Sequence, residues 1–179
     1  MGGDHLSNKC YILALFGLLL FVSIASAAQV NEAMGPFKIS FELPSKEVTN
    51  EIADPLYEDY STWYAMTTSA DNHLVDIIII EYFEPLEIDL DANRRLVAAM
   101  TGVDKSESKS RMIDGNNGIY SVRSSDKGTM LNAICWLDED GGKGTKKAEI
   151  IIASNDKKPD SALKALDSLK ITEDLSAEP

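Results

Sequence analysis

The sequence predicts an α+β fold: an antiparallel β-sheet with amphipathic helices packed on it in an α/β/α-type sandwich, preceded by an N-terminal signal segment. Three observations carry this expectation. Runs such as Phe37-Lys38-Ile39-Ser40-Phe41-Glu42-Leu43 alternate strictly between apolar and polar, the mark of a strand with one buried face. Turn-forming clusters at 114–118 and 126–128 separate later runs, and strands joined by tight turns pair antiparallel. Two stretches carry apolar stripes at helical spacing, and sheet faces are the large apolar surfaces able to bury them.

The leader comes first. Residues 11–25 are apolar without a charge, Lys9 precedes them, and Ala25-Ser26-Ala27 follows. A basic flank, a short apolar core and small residues at the end make a secretory signal, and cleavage after Ala27 is expected. Because Asp4 offsets Lys9, retention of 1–27 as an uncleaved anchor is the competing reading. Residues 28–36 are small and polar, end in Gly35-Pro36, and read as a linker. One domain is expected over 37–172, with a disordered tail at 173–179.

Within the domain the first strand runs 37–43 and stops at Pro44. Residues 45–59 read as a short interrupted helix or a loop. Ser61 to Ser69 and Leu74 to Phe83 form a hairpin about Asp71-Asn72, and four consecutive isoleucines, 77–80, imply a strand covered on both faces. A helix capped by Asp89 or Asp91 follows, with Leu96, Val97, Met100 and Val103 as its apolar stripe. Strands at 109–113, 119–124, 129–137 and 148–153 make a meander. A last helix opens at Pro159, with Ala162, Leu163, Leu166 and Leu169 on one side.

Composition narrows the function classes. The formal net charge is −12, and the leader holds one acid and one base, so the mature domain keeps it. Such a surface repels phosphate backbones, which argues against nucleic-acid binding. Cys10 lies in the leader, leaving Cys135 alone in the mature chain, inside the apolar run 132–137, where it reads as a buried thiol.

Motifs for chemistry fail one by one. Asp89, Asp91 and Asn93 open like an EF-hand loop, but Arg94 stands where glycine is needed and Met100 where glutamate is needed. From Asp138, Glu149 falls twelfth, yet Lys143 holds the glycine position, so Asp138 and Asp140 offer at most a weak surface calcium site. After the leader the chain has one histidine, His73, placed in a solvated turn, and one cysteine, too few for zinc. A Cys135–His73 nucleophilic pair would need hydrogen-bond reach and an orienting group, and Cys135, mid-strand among apolar neighbours, is poorly placed for it. Residues 141–145 lack phosphate-loop spacing. No catalytic, cofactor-binding or metal residue is therefore named, and no cofactor is expected. The remaining candidates are aromatic: Tyr57, Tyr60, Trp63 and Tyr64 form a possible partner-binding surface, because tyrosine and tryptophan are large, rigid and amphipathic.

The opening Phe37-Lys38-Ile39-Ser40-Phe41-Glu42-Leu43-Pro44, the strand Ile150-Ile151-Ile152-Ala153-Ser154, and Leu163-Lys164-Ala165-Leu166-Asp167-Ser168-Leu169-Lys170-Ile171 together resemble the first strand, last strand and last helix of the PsbP-like fold family. The resemblance is one of pattern over about residues 37–172. It implies that family's fold and a mostly non-enzymatic role in binding or assembly; no functional residue carries over. The expectation is a secreted or extracytoplasmic, non-catalytic binding or assembly module, acting on a protein or cell-envelope component and not embedded in a membrane. The alternatives are a small hydrolase using carboxylates and a calcium-dependent adhesion domain.

Overall fold

A computed structural model of the chain describes residues 27–174. Residues 1–26 of the expected leader, 1–27, and the end of the tail, 175–179, lie outside the described residues. Among the described residues eleven strands and two α-helices follow in order: β1 (Ala28–Met34), β2 (Phe37–Leu43), β3 (Val48–Ile52), β4 (Leu56–Tyr57), β5 (Ser61–Ala70), β6 (His73–Glu87), α1 (Leu90–Thr101), β7 (Lys109–Ile113), β8 (Asn116–Ser125), β9 (Gly128–Trp136), β10 (Lys143–Ser154), α2 (Asp160–Ser168) and β11 (Lys170–Glu173).

The expected α/β/α-type sandwich is overturned. The fold is mostly β, 59% strand and 16% helical, with antiparallel sheets. An eight-stranded sheet runs β3-β5-β6-β10-β9-β8-β7, with β4 also pairing β5, and a three-stranded sheet runs β1-β2-β11. Their inner faces meet. Phe37, Ile39, Phe41 and Leu43 of β2 join Ile77 and Ile79 of β6, Ile150 of β10 and Leu131 of β9 in one buried cluster. Each such side chain contributes about 1.5–3 kcal/mol when removed from water.

The physical reason for the error lies in four strands, β1, β3, β4 and β11, that are short or lack a clean apolar alternation. The stretch read as a linker is β1, paired along its whole length with β2 through a two-residue turn at Gly35-Pro36. Its inward positions are Val30, Glu32 and Met34, so a charge interrupts the apolar alternation. Asn50 of β3 satisfies Glu32 through a 2.7 Å hydrogen bond, and Asn50 in turn accepts from the buried Thr68 at 2.7 Å. The helix or loop expected at 45–59 is β3 and β4, short edge strands that meet β5 on one side. The expected disordered tail begins inside β11.

The helices are patches rather than layers. Asp89 caps α1, accepting from the amides of Asp91 and Ala92 at 2.9 Å. The buried residues are Val97, Ala98 and Thr101, whereas Leu96 and Met100 of the expected stripe are exposed. Val97 packs on Ile119 and Ile134, on the sheet face opposite the main core. Beneath it Thr101, Ser121 and Asn132 form a buried network: both hydroxyls donate to the Val97 carbonyl at 2.6 Å, and the Asn132 amide donates to Thr101 at 3.0 Å. Helix α2 lies on the other face and buries Ala162, Ala165 and Leu166. Of the four isoleucines, Ile77 and Ile79 point inward between the sheets, while on the far face Ile80 is buried and Ile78 half-buried, and Leu74 on that face is exposed, so β6 is covered fully on one face and in part on the other.

Candidate functional site at an aromatic sheet edge

The four aromatic candidates lie on β4, β5 and the turn between them. Leu56 pairs with Trp63 and Tyr57 with Thr62. The turn closes through the Glu58 amide on the Ser61 carbonyl at 2.9 Å, which pushes Tyr60 outward at the tip. Hairpin register sets Ser61 opposite Tyr82, and the Phe83 amide donates to the Tyr60 carbonyl at 3.0 Å, so Phe83 joins this end of the sheet. Tyr57 is 74% exposed, Tyr60 80% and Phe83 61%. Leu56 and Ile52 beside them are also exposed.

Strand alternation splits the candidates. Successive side chains point to opposite faces, so Trp63 and Tyr64 cannot share a surface. Trp63 lies on the far face, its indole donating to Ser61 at 2.9 Å. Tyr64 points toward the small sheet. Its ring meets Phe37 edge-on at 5.4 Å and closes against Gly35, where a Cβ would stand 2.3 Å from the ring. Burial pushes the Tyr64 hydroxyl pKa up, and the Glu81 charge adds to the effect. The structure thus brings Tyr57 and Tyr60 together, uses Tyr64 as an anchor between sheets, and adds Phe83. Sequence spacing alone missed Phe83, because its nearness to Tyr60 is a property of hairpin register.

The other chemical groups are engaged structurally. His73 does not sit in a solvated turn: Asp71 and Asn72 make the turn, and His73 starts β6, buried, between Ala70 and Ser154. Its Nε2 lies 3.2 Å from the Ser154 hydroxyl and 3.6 Å from Asp156 Oδ2. A serine–histidine–aspartate relay needs the carboxylate on the second ring nitrogen. Here both groups approach the same nitrogen, and buried Nδ1 has no partner. Burial lowers the His73 pKa and the Asp156 charge opposes it. Cys135 is buried in the main core, and its pKa is pushed up to about 12 by burial, with the Asp114 charge adding. A thiol so protonated is a poor nucleophile.

Asp138, the carboxylate weighed for calcium, is turned back into its own hairpin. It accepts from the Thr145 and Lys146 amides and the Thr145 hydroxyl, at the register shift between Gly144 and Lys146. Among the described residues no group of three or more His, Cys, Asp or Glu side chains is placed to hold a metal ion. A concavity of about 660 Å³ is an open trough at the opposite end of the sheet, with Leu74, Met130, Arg123 and Lys127 among its lining. No helix among the described residues is long and apolar enough to cross a membrane. Compared with protein-family models, with characterised proteins and with solved structures, the chain matches none.

Proposed function

We propose that the chain is an exported, non-catalytic binding or assembly module that holds a protein or cell-envelope partner through the edge formed by β4, the β4–β5 turn and the end of β6. One observation carries the reading: Tyr57, Tyr60 and Phe83 come from neighbouring backbone positions at one margin of the sheet, and all three are mostly exposed. Single exposed apolar side chains are ordinary, but a group of aromatics is a recurrent mark of a contact surface. The leader supports export, and the resemblance to the PsbP-like family favours binding over catalysis.

The test replaces Tyr57, Tyr60 and Phe83 by serine together and compares, with the unaltered protein, what each retains from its own cell envelope. Truncating an aromatic anchor at a contact centre costs about 2 kcal/mol or more. The variant is expected to melt at the same temperature and to lose its partners. Retention of the same partners by a folded variant contradicts the reading.

A further inference from the structure

We propose that the partner presents a cationic, extended segment rich in Lys or Arg, which pairs with the outer side of β3 and β4 as an added strand. This rests on the binding-module reading and names its partner class.

The first ground is where the charge lies. Of the 29 acids, 12 fall between Glu47 and Asp91, a stretch without a single Lys or Arg; the remaining 17 acids are matched by all 17 bases. The whole net charge of −12 therefore comes from the stretch that folds into β3, β4, β5, β6 and the start of α1. Five of the twelve, Glu47, Glu51, Asp54, Glu58 and Asp59, lie exposed along the edge run itself. None of these five has an ion-pair partner among the described residues, whereas Asp91, at the far end of the stretch, is paired with Arg95 and Lys105.

The second ground is the backbone. β3 ends the sheet, and no strand pairs its outer side among the described residues. The Ala53 amide donates to the Ala65 carbonyl at 3.0 Å, so Ala53 is turned toward β5. Antiparallel alternation then turns the backbone groups of Asn50 and Ile52 outward. The Asn50 side chain is tied inward to Glu32 and Thr68, which fixes β3 without using that outer edge.

Charged edges usually prevent pairing between copies. Two copies of this edge would set acids against acids, which excludes self-pairing and leaves a strand of opposite sign as the fitting occupant. Exposed Tyr57 and Tyr60 add ring faces to which a guanidinium or ammonium group is attracted.

The probes are fluorescent peptides titrated into the full chain: an alternating lysine–valine peptide, a lysine–glycine peptide of equal charge, and a glutamate–valine peptide. The lysine–valine peptide is expected to bind, and to bind more weakly as the Debye length falls from about 30 Å at about 0.01 M salt to about 8 Å at about 0.15 M. Amide hydrogen exchange at Asn50 and Ile52 should slow in the complex. Glu51→Lys, Asp54→Lys, Glu58→Lys and Asp59→Lys together should weaken binding about tenfold or more, as expected for like-charge juxtaposition. If that variant does not fold, Glu58→Gln with Asp59→Asn, confined to the turn, replaces it with a smaller expected loss. Failure of the lysine–valine peptide to bind, equal binding of the lysine–glycine peptide without amide slowing, or unchanged binding by the charge variants overturns the proposal. Loss of the envelope partner in the serine variant but not in the charge-reversed one removes the cationic partner and leaves the binding module standing.

Discussion

The backbone amide of Lys146 donates to the Asp138 carboxylate at 2.9 Å, and that bond, with those from Thr145, closes the β9–β10 connection at the point where the pairing of β10 with β6 shifts register. Burial raises the Asp138 pKa, but hydrogen bonds from the Thr145 hydroxyl and from the Lys146 and Thr145 amides, with the Lys146 charge, outweigh it, and the net shift is downward. The folded chain thus holds fewer protons on this group than the unfolded chain. Its stabilisation is full above the unfolded value of about 3.9 and is lost as pH falls through the lower folded value. Asp138→Ala should cost about 1 kcal/mol at neutral pH, a figure already discounted for solvent screening. Urea midpoints at pH 7 and in acid check this: the difference between variant and parent should shrink in acid.

His73 titrates in the opposite part of the scale. Burial holds its folded pKa below the unfolded value of about 6.5, so the folded ring binds fewer protons than the unfolded one. Stability from this group is complete above about pH 6.5 and declines as pH drops toward the folded pKa. Melting temperatures between pH 7.5 and 5 should fall in the parent, and the slope should flatten in His73→Gln. An unchanged slope in that variant assigns the acid sensitivity elsewhere.

The network under α1 predicts a specific cost. Thr101 donates to the Val97 carbonyl and accepts from Asn132, all out of water. Thr101→Val keeps the shape and leaves the Asn132 amide without that acceptor. An orphaned buried group costs about 1–3 kcal/mol, so the urea midpoint should fall with the m-value unchanged.

Cys135, buried and with its pKa near 12, should resist thiol reagents at neutral pH in the native protein and react fully once unfolded in guanidinium. Rapid native labelling would mean that β9 opens readily.

Much of the architecture is written locally in the chain. The cap at Asp89, the turns at Asp114-Gly115 and Asp126-Lys127, and the alternation of 37–43 each fix an element through its own residues. What escaped needed knowledge of neighbours. β1 reads as a linker because Glu32 occupies an inward position, and only Asn50 on another strand explains that glutamate. Helix α1 buries Ala98 and Thr101 in place of Leu96 and Met100, with Thr101 tied into the buried network with Ser121 and Asn132 on the sheet. The aromatic edge was half legible. Tyr57 and Tyr60 are plain as a cluster, but the inward turn of Tyr64 and the arrival of Phe83 depend on alternation and register. The charge asymmetry stands in the sequence, yet that five of its acids line the β3–β4 edge is visible only in the fold.

The central claim, that contact is made at the aromatic edge, is tested most directly by replacing Tyr60 with a photoreactive amino acid and cross-linking in the native envelope. Lys127, exposed in the β8–β9 turn at the other end of the sheet, serves as the comparison position. A discrete adduct from position 60 and none from position 127 is the predicted result. The same adducts from both positions, or none from position 60, would contradict it.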